Sequence, residues 1–415
     1  MTCRDDGWLD IRRAAIVARL IAAVSGGVDS AVAAARMVEA GHAVTAVYFH
    51  FFSRLPDTGR PPDDRDDARL VADHLGLPFE VWDLADHFER QVVDYFAAEY
   101  AAGRTPNPCL RCNRTVKFGA VIERALAAGF DGVVTGHYAR LMRPEPTVAG
   151  SLATTPVSLR RAVDFAKDQS YVVASLPPEL LRRAFFPLGE MTKSAVRAEA
   201  AERGLPVASK PDSTDVCFIP DGDTAGWLRS RLGERPGPIV TSEREIVGAH
   251  RGTTGFTIGQ RRGLRLGQPA ADGQPRYVVG LEPATATVVV GSRQELRVDR
   301  IRARQPVWTS GQPPTGRVTG QVQLRAHGQP LPATLEWSEP VADGARVGVL
   351  TTVDDSPALS LGESGKTPYE SAEVVINLAT PAFGVAPGQT AVFYDGDEVV
   401  GSAVIEATAV NAVCD

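Results

Sequence analysis

The chain has 415 residues, 44% hydrophobic and 23% charged, with a formal net charge of −6. That balance belongs to an ordinary globular protein of two or three domains. It argues against a polycationic nucleic-acid coat without excluding a local basic face. No apolar run is long enough to span a membrane, and the opening MTCRDDGWLDIRR lacks the apolar stretch of a secretory signal, so a cytoplasmic protein with no membrane partner is expected.

Residues 19–24 (RLIAAV) read as an apolar strand ending at a glycine turn, and residues 31–40 as a helix stopped by Gly41. Residues 43–52 are β-branched and aromatic, hence a second strand. A charged helix over 63–75 puts Ala68, Val71, Ala72 and Leu75 on one face. Strand 79–84, helices over 88–102 and 116–128, and a buried strand over 132–135 follow. Strands alternating with helices predict an α/β fold with a doubly wound parallel sheet. After about Pro211 the long helical patterns stop. Residues 277–281 and 287–291 read as strands, and many short strands with turns at 311–316 and 395–397 follow from residue 297, a barrel or sandwich signature. Residues 143–156 and 354–366 read as loose loops.

Ser25-Gly26-Gly27-Val28-Asp29-Ser30 lies between the first strand and helix. Its glycines permit a tight turn whose N–H groups form an anion nest, and the helix N-terminus adds positive potential. The lysine of a Walker loop is absent. Asp29 repels phosphate unless Mg²⁺ sits between them. The pattern S-G-G-x-D-S resembles the PP-loop of ATP pyrophosphatases, which implies transfer of AMP with release of pyrophosphate.

Five cysteines, Cys3, Cys109, Cys112, Cys217 and Cys414, do not form a secreted disulfide framework. Cys112 falls near a helix start in TPNPCLRCNRT, where Arg111 and Arg114 add positive charge, so it can be a thiolate at neutral pH. Cys217 has acidic neighbours that raise a thiol, an effect that Lys210 or a bound nucleotide or metal would reverse. The C-x-x-C spacing also suits zinc, with His137 as a further ligand, or an iron–sulfur cluster on Cys109, Cys112 and Cys217.

Eight segments in order (AVSGGVDSAVAA, GRTPNPCLRCNRTVKFG, VVTGHYARL, AKDQSYVV, KPDSTDVCFI, GTTGFTIGQRRGL, RYVVGLE and APGQTAVFYDGDEVVGSAVI) resemble the bacterial tRNA-specific 2-thiouridylase family. The resemblance implies a PP-loop domain over 1–215, a central connecting domain over 216–290 and a C-terminal β-barrel over 291–415. It implies ATP- and Mg²⁺-dependent 2-thiolation of the wobble uridine, position 34 of tRNA. Sulfur would be supplied by a sulfur-relay protein or cysteine desulfurase. ATP would be held by Ala23, Val24, Ser25, Gly26, Gly27, Val28, Asp29 and Ser30, with Phe49 and Gly136 beside it. Asn107, Pro108, Cys109, Lys167, Asp168 and Gln169 would contact tRNA. His137, at a strand end where open α/β sheets bind ligands, and Arg325 join them. Cys217 would carry a persulfide and Cys112 would be the second, nucleophilic cysteine, leaving a Cys112–Cys217 disulfide to be reduced. Many family members carry Asp where this chain has Cys109, which leaves the role of Cys109 open.

A base must be unstacked for such chemistry, and phosphates need a basic surface. Arg251, Arg261, Arg262 and Arg265 form one cluster, Arg300, Arg302 and Arg304 share a strand face, and Arg160 and Arg161 precede Lys167. Two other classes compete. A PP-loop enzyme joining nitrogen to an activated carbonyl needs no cysteine pair. A non-catalytic RNA-binding protein needs no intact phosphate loop.

Overall fold

The computed structural model describes residues 17–52, 64–144, 152, 154–212, 216–267, 272–338 and 372–410. Three sheets organise them. The first holds β1 (Arg19–Ala23), β2 (Ala43–His50), β3 (Phe79–Asp83), β4 (Gly132–Val134) and the short strand Ala184–Phe185. Their order is β3-β2-β1-β4 followed by Ala184–Phe185, and every pairing is parallel. Because both faces are covered, Leu20, Ile21, Ala46 and Val47 are all fully buried, which explains the apolar runs in place of alternation.

α1 (Val28–Glu39) lies on one face, where Ala31, Ala33 and Ala34 permit close approach to the sheet. Helix Arg65–His74 packs beside it through Ala68, Val71 and Ala72, the face that the sequence marks. Two longer helical stretches, residues 85–101 and 108–127, cover the other face. Each contains a wider π-helical turn, Glu89–Val93 and Asn113–Ala120. The second stretch begins well before the expected residue 116. Pro108 sits at the first helical position, where its missing N–H is not needed, and the Asn107 side chain accepts from the N–H groups of Cys109 and Leu110.

Contrary to the expectation that helices end at Pro211, Thr224–Leu232 is helical. Leu228 is its one buried residue, so it shows no apolar stripe. The second sheet runs Tyr277–Glu282, Thr287–Gly291, Gly237–Thr241, Ile246–His250. Its core is small: Ile239, Leu264, Val278, Val288 and Val290.

The third sheet closes on itself. Arg297–Trp308, Glu373–Phe383, Leu331–Ser338, Val318–Gln323, Thr390–Asp395 and Glu398–Ala409 are neighbours in that order, and the first pairs with the last. The strands are longer than the sequence suggests: Arg297–Trp308 and Glu398–Ala409 have 12 residues each. A register shift between Arg304 and Val307 absorbs Gln305, at φ 53°, and Pro306, so a sequence break becomes a bulge. The loop 354–366 and part of 143–156 lie outside the described residues.

A hairpin from the first part of the chain, Ala139–Met142 with Ser158–Arg161, extends the barrel sheet through Arg160 opposite Glu398. Behind it, the Arg161 guanidinium lies 3.5 Å from the Tyr394 ring centroid, 3.1 Å from Asp168 and 3.2 Å from Gln323. Asp168 also accepts from the N–H groups of Ala162 and Ser170 and from the Ser170 hydroxyl. No helix of the described residues is long and apolar enough to cross a membrane. Arg161→Met is expected to lower unfolding stability by about 3 kcal/mol, because it strands the buried Asp168 carboxylate. Denaturant unfolding checks this, and Arg161→Met with Asp168→Asn is expected to recover part of the loss.

Candidate active site

Parallel strands deliver their following turns to one edge of the sheet. The turn after β1 is Ser25–Ser30. Gly26 sits at φ +76°, and a Cβ there would lie 2.6 Å from the Asp64 carbonyl oxygen. Gly27 is the extended cap before α1. The Ser30 hydroxyl donates to the Gly27 carbonyl at 3.0 Å and accepts from the Ser25 N–H at 3.1 Å, which fixes the loop. Gly136, after β4, lies against it: a Cβ there would meet the Ser30 nitrogen at 2.8 Å. Phe49, near the end of β2, is buried against Phe51 and Trp82. The structure thus gathers Ala23–Ser30, Phe49 and Gly136 at one edge of the sheet.

Asp29 is not idle. It accepts from Tyr138 Oη at 2.8 Å, and its two oxygens lie 2.6 and 2.8 Å from Lys193 Nζ. Lys193 also pairs with Asp212 at 3.0 Å, and Asp212 takes Lys167 at 2.9 Å and Arg197 as well. The bond from Lys167 leads the causes that hold the Asp212 carboxyl far below its usual range, with Lys193 and Arg197 adding to it. Lys210 pairs with Asp64 and Asp67 at 2.6 Å each, so it does not serve the Cys217 thiol as the sequence suggests.

The cysteines meet on the other covered face. Cys112 is buried, one helical turn beyond the exposed Cys109. Cys217 is exposed, but the next residues, Phe218 and Ile219, are buried; Phe218 packs on Phe88, Phe96 and Trp227 and pins the segment. Crowding by protein pushes the Cys112 thiol up to about 12 and the Cys217 thiol up to about 11, with the neighbouring thiols raising each further. Burial raises Cys109 too. In the free protein this crowding favours the neutral thiols, against the Cys112 thiolate that a helix start and nearby arginines allow. Arg111 does not help: its guanidinium donates to the Gln91 carbonyl and side chain and lies over Tyr95. The cation that lowers all three thiols is Lys117.

His137 bonds Thr135 Oγ1 at 2.8 Å and packs between Phe118 and Phe186. Burial, with Lys117 second, pulls it down to about 3, so it is a neutral imidazole and brings no charge to a phosphate. Among the described residues no group of three or more His, Cys, Asp or Glu side chains is placed to hold a metal. That geometry favours neither the zinc nor the iron–sulfur alternative.

The other candidates divide. Asp168 bonds Arg161 and Ser170, and Gln169 bonds Tyr138 through both backbone and side chain, which fixes the segment that follows Lys167. Asn107 caps its helix and Pro108 is buried there. Lys167 and Arg325 are at the surface, the latter in the turn whose carbonyl receives Gln323. Arg261, Arg262 and Arg265 are exposed, whereas Arg302 and Arg160 are matched by Glu373, Glu406, Asp397 and Glu398.

Family models match residues 18–221 (tRNA methyl transferase HUP domain), 225–292 (tRNA methyl transferase PRC-barrel domain) and 365–405 (aminomethyltransferase beta-barrel domain). A tRNA-specific 2-thiouridylase MnmA of Nocardioides sp. is 52% identical over 402 residues, covering 94% of this chain and 98% of that one. The chain belongs to the tRNA-specific 2-thiouridylase family. A second family member, from Frankia casuarinae, is 49% identical over 94% of this chain and 99% of its own. A solved 4-thiouridine synthetase–RNA complex with bound ATP overlaps only at a TM-score of 0.30 and 15% identity, over 52% of this chain and 50% of that one, a likeness too weak to build on.

For this 2-thiouridylase family member, the residues that sequence reasoning misses are Lys117, Tyr138, Lys193 and Asp212. One signal was available. The chain has five lysines, at 117, 167, 193, 210 and 366, among 44 basic residues. Lys117 faces the thiols, and Lys167, Lys193 and Lys210 pair with acids around the loop.

In the free protein, alkylation of Cys217 by iodoacetamide is expected to be slow at neutral pH and to rise about tenfold per unit between about pH 8 and 10, as the thiolate fraction grows. Lys117→Met is expected to slow it at every pH. A rate already level at pH 7 contradicts the raised thiol.

Proposed function

We propose that this chain is an ATP-dependent tRNA-uridine 2-sulfurtransferase that thiolates the wobble uridine of tRNA. One observation carries the reading: Cys112 and Cys217, from distant parts of the sequence, come together beside Lys117, in the same domain as a phosphate-binding loop. The relatives' activity is preferred to the methyl-transfer wording of the family models, because paired thiols suit sulfur exchange and the loop suits a polyphosphate.

The remaining loop N–H groups and the Ser25 hydroxyl would bind the phosphates of ATP, on a loop that the Ser30 hydroxyl holds in shape. Mg²⁺ would be held by Asp29 and the phosphates, neutralising their charge. The uracil 2-oxygen attacks the α-phosphorus, pyrophosphate leaves, and the oxygen becomes part of a good leaving group, AMP. The outer sulfur of a persulfide on Cys217 would attack C2 and expel AMP, after which Cys112 attacks the Cys217 sulfur, breaking the S–S bond and releasing 2-thiouridine; alternatively Cys112 attacks first and the sulfide released displaces AMP. Either route leaves AMP, 2-thiouridine and a Cys112–Cys217 disulfide. Closing that bond needs the two Cα atoms within about 6 Å. The neutral thiols fit a resting state. Substrate binding must bring the thiols and Lys117 closer together for a thiolate to form. Exposed Lys167, Arg261, Arg262, Arg265 and Arg325 would meet tRNA phosphates, and a cysteine desulfurase or sulfur-relay protein would load Cys217. The division at 215/216 and 290/291 belongs to the same reading, supported by the parallel sheet, the central sheet and the closed barrel lying in successive parts of the chain, with the hairpin of residues 139–161 joining the barrel sheet.

Nucleoside mass spectrometry after incubating unmodified tRNA with the protein, ATP, Mg²⁺ and a persulfide source is expected to show one added sulfur at the wobble uridine, with pyrophosphate released. Cys112→Ser and Cys217→Ser are expected to abolish the sulfur gain and leave ATP-dependent adenylation. Full thiolation by both variants refutes the cysteine mechanism.

A further inference from the structure

A Walker loop carries its own lysine, and this loop has Val28-Asp29 instead. The fold brings a lysine from elsewhere. Lys193 opens the helix Lys193–Glu202, its N–H bonded to Asp164 at 2.9 Å and the helix start capped by Thr192. With its backbone anchored there, only the ammonium is adjustable. It is 13% exposed, touches both oxygens of Asp29 and reaches Asp212 at 3.0 Å. Tyr138 closes one side, its ring centroid 5.9 Å from Nζ and its hydroxyl on the same Asp29 oxygen. One ammonium is thus shared by two carboxylates at the mouth of an anion nest.

That arrangement cannot survive the arrival of a polyphosphate unchanged. Asp29 repels the phosphates unless a cation stands between them; Lys193 already lies on Asp29, and the Mg²⁺ that accompanies ATP would take its place there. Asp212 retains Lys167 and Arg197 when Lys193 departs, so no carboxylate is left bare on that side. A lysine ammonium is a compact point charge with three donors on a flexible stem, able to pass from carboxylates to phosphate, and here a chain rich in arginine uses lysine.

We propose that Lys193 is the phosphate-neutralising cation of this loop, held on Asp29 and Asp212 while the site is empty and passed to the nucleotide phosphates when Mg²⁺-ATP binds. The inference rests on the ATP reading above and adds a residue to it.

The test uses the full chain with tRNA, Mg²⁺ and ATP. Pyrophosphate release gives KM and kcat, and thermal melting with and without Mg²⁺-ATP gives the shift on binding. Lys193→Met is expected to raise KM for ATP about tenfold or more, the worth of one charge-assisted contact, and to remove most of the ATP-induced rise in melting temperature. Its nucleotide-free melting temperature stays near the parent's, and Lys193→Arg recovers part of the affinity. A Lys193→Met protein that melts lower without nucleotide but keeps the parent's KM and ATP-induced shift has lost only a structural ion pair, which overturns the proposal. Asp212→Asn supplies an independent arm. Freeing Lys193 from one competitor is expected to lower KM for ATP, and an unchanged or higher KM also overturns it. A parent protein that releases no pyrophosphate refutes the ATP reading and this inference together, whereas an active parent with an indifferent Lys193→Met removes Lys193 alone.

Discussion

Every strand of the first sheet runs the same way, and the rest of the site depends on that. Parallel strands end at a common edge, so the turns after β1, β2 and β4 converge although they are far apart in sequence. Gly26 and Gly136 then let two of those turns touch backbone to backbone. Helices on both faces keep the strands dry, and the dryness holds the loop rigid enough to present its N–H groups. The barrel and the central sheet add walls rather than chemistry. The Thr105 N–H bonds the Pro387 carbonyl, and Gly103 lies against Pro283, so the loop leading to Cys109 is braced by both.

Charge is arranged as a sequence of exchanges. Around the loop, Asp29, Asp64, Asp67 and Asp212 are each matched by lysine, and in Asp212's case by arginine too. Such partly exposed pairs contribute little to stability. Their value lies in being replaceable: a site that must accept several phosphate charges keeps its cations occupied until then. Asp212 also opens the segment that leads to Cys217, so nucleotide charge and sulfur chemistry share one carboxylate.

The thiols follow the opposite logic. Crowding by protein raises the buried Cys112 and the more open Cys217, and Lys117 offsets that only in part. A neutral thiol in the empty enzyme is protected from stray oxidation and alkylation. Reactivity then depends on what tRNA and nucleotide do to the local dielectric and to Lys117. The π-helical turn Asn113–Ala120 bears on this. It begins just after Cys112 and widens the helix, and Gly119 fits where a side chain would strike the Arg114 carbonyl.

By itself the sequence determined the α/β class and the loop at 25–30, because each rests on local pattern: apolar period, glycine turns, spacing; it offered the basic segment at 261–265 as a candidate surface, and Cys217 became a candidate only through the family resemblance. The sequence also carried that resemblance from about Leu20 to about Ile405. Tertiary structure alone decided which charges face which. Lys193 reaches Asp29 across 164 positions, and Lys117, not Arg111 or Lys210, faces the thiols. Thiol ionisation reversed between sequence and structure because burial outweighs neighbouring charge, and burial is not a local property. The helix Thr224–Leu232 and the long bulged strand Arg297–Trp308 escaped for a related reason. Their residues follow contacts made across the fold, Trp227 against Phe218 and a register shift around Pro306, rather than a period of their own.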